Sequence, residues 1–259
     1  MGRLSEIADG VLVGTSELYT TTTTIVAGSG GRCLVIDPAI TPADLAAAAA
    51  DLSARGLKPA AGWSTHPHWD HVLWSRELGE VPRFAAPRAV AAATAHRADL
   101  ISSAQRSAPG HDLELIGRLT TLEPGVDRIP WDGPLALVVA HDGHAPGHGA
   151  VFLPEAGVLV AGDMCSDIEI PLLDPNAPDP VGDYRAGLER LAALAGVRQV
   201  VPGHGQVGDA AEFGRRIAAD LRYLDALESG VPFEDPRLTQ DWLRAEHERQ
   251  LRQARAGPS

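Results

Sequence analysis

The sequence predicts an α/β fold, on three observations. Short apolar, β-branched runs recur along the chain. Alanine-rich or amphipathic stretches of helical length separate several of them. Histidine or aspartate stands where several of the runs end, which is the usual place for a site in an open α/β protein.

Residues 11–13, 20–26 and 33–36 read as strands, with Gly28-Ser29-Gly30-Gly31 as a turn between the last two. The threonine run 20–24 is assigned to sheet because threonine suits a pleated surface. Thr41-Pro42 opens a helix, with threonine as N-cap and proline in the first turn, and Gly56 stops it after Arg55. Residues 60–64 form a short strand that delivers the segment 66–71. Residues 75–78 are a short helical piece, 83–86 a strand, and 87–107 a helix ended by Ala108-Pro109-Gly110. The irregular stretch from there to Pro134 is expected to shape substrate access.

Residues 135–140, 150–153 and 158–161 read as strands, and the Pro- and Asp-rich 171–180 as a loop. Asp183 is expected to cap a helix through Leu194, and 199–201 to be the last core strand. Phe213, Ile217, Leu221 and Leu224 recur at helical spacing within 209–227. A further helix is expected over 239–256, docked by Trp242 and Leu243. Residues 1–230 are read as one domain and 231–259 as a C-terminal helical extension packed on it.

Composition sets further bounds. A chain of 259 residues is long enough for one large domain with a buried core. It carries no apolar run of membrane-spanning length, and the first residues show no apolar core of a secretion signal. Cys33 and Cys165 are too few for a disulfide scaffold, so the expected home is the reducing cytoplasm. The net charge of −12 repels polyanions, so nucleic acid is not an expected partner, nor is a membrane; a small molecule is.

The segment His66-Pro67-His68-Trp69-Asp70-His71 places four groups able to bind a metal within six residues. Imidazole suits zinc and iron, and a carboxylate beside it admits a hard cation or holds a water. Three further signals follow: His141 to His148, containing Pro146-Gly147-His148; Gly162-Asp163 after an apolar run; and Pro202-Gly203-His204-Gly205 after another.

This ordered set, H-x-H-x-D-H, P-G-H, G-D and P-G-H-G, resembles the metallo-β-lactamase-fold superfamily over about residues 8 to 225. The resemblance implies an α/β/β/α sandwich. It implies that His66, His68 and His148 hold a first metal, that Asp70, His71 and His204 hold a second, and that Asp163 bridges both. His144 and His141 are then expected outside the ligand set, and Asp37 in a structural role beneath the metal loop. The implied cofactors are two zinc ions, with iron or manganese as alternatives.

The implied activity is that of a glyoxalase II- or lactonase-like hydrolase, in which a metal-bridged hydroxide attacks the carbonyl of a small ester, thioester or lactone. Asp70 would orient that hydroxide. Zinc-bound water titrates near a pKa of about 7, which suits neutral pH. Ser166 stands where quorum-quenching lactonases typically carry a tyrosine, which puts that contact in doubt. A second reading is a mononuclear iron oxygenase resembling the persulfide dioxygenases, with His66, His148 and Asp163 on one iron.

Overall fold

The computed structural model describes residues 3–231 and 233–256, which form two mixed sheets with helices on their outer faces. The first sheet runs, in order, β1 (Ser5–Ala8), β2 (Val11–Thr15), β3 (Thr22–Ala27), β4 (Arg32–Ile36), β5 (Lys58–Trp63), β6 (Arg83–Ala85) and β7 (Thr120–Thr121). Its early pairings are antiparallel; from β4 onward they are parallel. Parallel pairing requires crossovers. These are α1 (Pro42–Ala54) between β4 and β5, the segment 64–82 between β5 and β6, and α2 (Pro87–Ala95) with α3 (Arg97–Ser107) between β6 and β7.

The second sheet contains β8 (Leu137–His141), β9 (His148–Leu153), β10 (Val158–Gly162), β11 (Gln199–Pro202) and β12 (Gly208–Asp209), in the order β12-β11-β10-β9-β8. The helix α4 (Pro180–Ala192) connects the parallel pair β10 and β11, while α5 (Ala210–Ser229) and α6 (Asp241–Ala256) follow β12. No described helix is long and apolar enough to cross a membrane.

Side-chain alternation shows how the layers stack. In β4, Cys33 and Val35 join a core with Leu45 and Leu52 of α1, while Leu34 and Ile36 point to the other side. In β10, Leu159 and Ala161 join a core with Leu188 of α4 and Leu224 of α5, while Val158 and Val160 face the opposite way. The residues pointing away from the helices, among them Leu34, Ile36, Val158, Val160 and Val201, form one shared core between the sheets. The central strands therefore bury both faces, and the architecture is an α/β/β/α sandwich.

Several local expectations shift. Thr20 leaves the strand, because Tyr19 and Thr20 both adopt positive φ in a tight turn and β3 starts at Thr22. The helix expected over 87–107 breaks at His96 into α2 and α3. The cap of α4 is Asp179, whose carboxylate accepts from Gly182 N at 3.0 Å. Pro180 takes the first helical position, which leaves Asp183 in the first turn rather than at the cap. Thr41 caps α1 as expected, and Asp44 completes a capping box.

The C-terminal segment packs on α5. Leu243 is buried in the core shared with α4 and α5, and Tyr223 Oη lies 2.9 Å from His247 Nδ1. Buried Arg237 reaches further in, to Asp235 (2.8 Å), Asp220 (2.5 Å) and the carbonyl of Ser166 (3.4 Å). Trp242 stays about half exposed rather than docking the helix. The outer limits of the two expected spans, residues 1–2 and 257–259, lie outside the described residues.

Candidate metal centre

The site forms where strand ends of the two sheets meet. Residues 64–71 follow β5, residues 142–147 turn between β8 and β9, Asp163 follows β10 and His204 follows β11. A seam joins the sheets here: Thr22 N donates to Gly203 O (2.8 Å), Thr22 Oγ1 to Pro202 O (2.6 Å), and Thr21 bridges His204.

Two clusters of donors result. One consists of His66, His68, His144 and Asp163, the other of Asp70, His71 and His204, each with its donor atoms within 4.8 Å of one another. Asp163 lies between them. Its Oδ2 is 3.4 Å from Nε2 of His66, His144 and His204, and its Oδ1 is 3.1 Å from His71 Nε2. Asp70 Oδ2 is 3.2 Å from His204 Nε2. Buried His66 Nε2, Asp163 Oδ1 and both ring nitrogens of neighbouring His148 make no hydrogen bond, so the centre is left with unmet polar atoms that a cation would satisfy.

The histidines are aimed from behind. The Nδ1 atoms of His71, His144 and His204 lie 3.0 Å from Asp37 Oδ2, 2.7 Å from Leu172 O and 3.0 Å from Tyr19 O respectively. His66 Nδ1 is 3.0 Å from Thr65 Oγ1. In each case the other nitrogen is left facing Asp163, the arrangement that orients metal-binding imidazoles. Asp37 also accepts from Thr65 N (2.8 Å) and Thr65 Oγ1 (2.6 Å), so one carboxylate holds the entry and the exit of the metal loop. Gly203 is required by space: a Cβ there would lie 2.0 Å from Asp163 Oδ1.

His144 stands in the first donor cluster, where the resemblance implies His148. His148 is already paired in β9 opposite His141, and its ring stacks between His66 (5.2 Å) and His141 (4.5 Å). It belongs to neither donor cluster. His144 sits in the free turn between the strands, where its Nε2 reaches within 2.9 Å of His68 Nδ1. A residue held in a ladder has its direction fixed by the pleat, whereas a turn residue can project past the sheet edge. The hydroxyl of Ser166 is engaged with the backbone: its Oγ donates to His204 O (2.7 Å) and accepts from Ile168 N and Glu169 N.

Charge at the centre follows from burial and neighbours. Burial opposes ionisation of Asp163, yet His71, His204 and His66 hold it well below the usual carboxylate range. Burial pulls His71 and His204 down, but Asp163 and Asp70 more than reverse this and hold both well above the ordinary histidine value. The carboxylates are thus balanced by protons that a dication would displace. Burial, with His68 nearby, pushes His144 down to about 3. Burial, with the Arg190 charge, pushes His141 down to about 4.

His141 gives a pH dependence. Its folded value lies below the ordinary 6.5 or so, so the unfolded chain binds the extra proton between those values and acid destabilises the fold. In metal-free protein, His141→Gln is expected to lessen the stability lost between pH 6.5 and 5 by about 1.5 kcal/mol. Urea unfolding at both pH values checks this, and an unchanged loss would contradict it.

Comparison with known proteins fits this geometry. The profile described as "Metallo-beta-lactamase superfamily" matches residues 17–204, a span that contains every donor named above. The chain belongs to this superfamily.

Among solved members of similar fold, a metallo-beta-lactamase family protein of Thermus thermophilus superposes with a TM-score of 0.69 at 22% identity, covering 97% of this chain and 95% of that one. A beta-lactamase domain protein of Burkholderia ambifaria gives 0.67 at 21%, covering 88% and 74%. A curated relative, "Hydroxyacylglutathione hydrolase" of Rhodobacter capsulatus, is 34% identical over 166 residues. That match takes in 64% of this chain and 52% of the relative, so the chain spans about half the length of the curated protein it matches.

In this metallo-beta-lactamase superfamily member a cavity of about 1430 Å³ opens onto the centre. Asp70, Asp163, His144 and His204 line its floor, and Trp69, Leu100, Leu172 and Trp242 contribute apolar wall. Its walls come from α2, α3, the 169–176 loop and α6. The irregular stretch 110–134, expected to shape access, contributes no lining residue. Trp69 is thus the pocket aromatic of the metal loop, while Trp63 and Trp74 are core residues. The cavity also shows a group that sequence reasoning missed, Glu169, whose carboxyl burial pushes up to about 7.

Proposed function

We propose that the chain is a dinuclear metal-dependent hydrolase acting on a small ester, thioester or lactone. One observation carries this reading: two donor clusters converge on the shared carboxylate of Asp163 at the floor of a cavity large enough for a small-molecule substrate. The similarity to a hydroxyacylglutathione hydrolase supports the thioester in particular. His66, His68, His144 and Asp163 would hold one zinc ion, and Asp70, His71, His204 and Asp163 the second. Metals so held supply a Lewis acid for the carbonyl and an activated water at neutral pH.

The protein's own groups do the rest. Asp70, fixed through His204, offers Oδ2 to orient the attacking water and take its proton. Asp37, Thr65, Leu172 and Tyr19 keep the imidazoles pointed inward, so little reorganisation accompanies the reaction. Trp69 and Leu172 shield the carbonyl from bulk water. Two free, buried thiols accord with a reducing compartment, the cytoplasm.

The test is elemental analysis of protein purified without added metal, followed by chelation and reloading. About two zinc ions per chain are expected. Thioester and lactone hydrolysis should vanish on chelation and return with zinc. About one iron per chain, with oxygen consumed in the presence of a persulfide, would replace this reading with the oxygenase.

A further inference from the structure

Glu169 is the unexplained acid of the cavity. Its side chain is 8% exposed and lines the cavity beside Asp163 and His204, yet its carboxyl makes no hydrogen bond to any described residue. Burial of an unpaired carboxyl is costly, and stability alone gives no reason to keep one. Its position is also fixed. Glu169 N donates to Ser166 Oγ (3.0 Å), and Ser166 Oγ donates to the carbonyl of His204 (2.7 Å). The turn bearing the carboxyl is therefore tied to two elements of the metal centre.

The other charges of the cavity differ from it. Arg249 is paired with Glu246 at 2.5 Å, and Arg252 lies 3.8 Å from Glu248, both within α6. The cationic side of the wall is thus already answered by acids, while Glu169 forms no ion pair with any described arginine or lysine and feels His204 and His71 without a hydrogen bond to either. The wall next to it, Leu172 and Leu173, is apolar and offers no donor.

We propose that Glu169 selects substrates that carry a protonated amine in the acyl part, close to the scissile carbonyl, by accepting its hydrogen bond. This rests on the hydrolase reading and narrows it to amine-bearing acyl esters and thioesters. An ammonium group both pairs the buried carboxylate and fills a place that an alkyl group would leave electrostatically unmet. An acyl group ending in a carboxylate is excluded by like charge.

The test compares β-alanyl and butyryl phenyl thioesters, which differ by ammonium against methyl, on zinc-loaded protein. Binding of β-alanine and butyrate is measured alongside by calorimetry. The wild type is expected to prefer the β-alanyl ester in kcat/KM, on the order of tenfold or more. In Glu169→Gln the preference should vanish through KM, with zinc content and butyryl turnover retained.

Equal use of both esters by the wild type, or a preference that survives in Glu169→Gln, overturns the inference and leaves the hydrolase reading intact. Loss of zinc in Glu169→Gln also overturns it, making Glu169 a counter-charge to the metals. If neither ester is cleaved, the thioester reading fails, and the inference is then overturned if β-alanine does not outbind butyrate in the wild type or still does so in Glu169→Gln.

Discussion

Asp163→Ala is expected to remove both metals at once. The carboxylate is the one group shared by the two clusters, with Oδ2 toward His66, His144 and His204 and Oδ1 toward His71. Its loss leaves His71 and His204 without the charge that holds them in place, and leaves each cluster a ligand short. Zinc content should fall from about two per chain to well under one. Hydrolysis should drop on the order of 10³-fold or more, since Lewis-acid stabilisation is worth several kcal/mol. The fold should survive, because the surrounding cores do not depend on this side chain. Elemental analysis, circular dichroism and turnover on one preparation check all three. Undiminished turnover with full metal content would remove Asp163 from its bridging place.

The second large effect separates two histidines four residues apart. His144→Ala is expected to strip the first metal and lower turnover at least about 10²-fold, since His144 Nε2 faces Asp163 at 3.4 Å and His68 at 2.9 Å. His148→Phe should keep both metals. Neither ring nitrogen of His148 makes a hydrogen bond, and its place is a stack between His66 and His141 that an apolar ring can occupy. The larger ring is expected to cost about 1–3 kcal/mol of stability through overpacking. Metal content and unfolding midpoints of the two variants decide the matter. Loss of metal in His148→Phe with retention in His144→Ala would restore the assignment made from sequence.

That assignment shows where sequence patterns stop. The segment 66–71, Asp163 and His204 could be found because each follows an apolar run that is a strand, and a strand end points its polar residue at the shared edge. That His144 rather than His148 clusters with the other donors turns on the boundary of β9. Pairing with His141 places His148 inside the ladder, and nothing in the residue types between them marks that limit. The α/β class was legible from the apolar runs and the layered sandwich from the family resemblance, but β1, β7 and β12 were not legible, because two to four residues carry too little period to register. Glu169 and the carbonyl of Tyr19 were invisible for another reason. Their roles come from tertiary contacts, in the case of Tyr19 and His204 across 185 residues of chain.

The seam between the sheets carries a mechanical consequence. His66, His68, Asp70 and His71 belong to the first sheet, and His144, Asp163 and His204 to the second. Metal bound here would rivet the two halves together, closing a long loop of chain as a disulfide does and removing freedom from the unfolded chain. The same ions would then serve as reagent and as fastener. Conditions that leach them would loosen the sandwich along its functional edge first, while the far end of the inter-sheet core, around Val11 and Leu153, stayed closed.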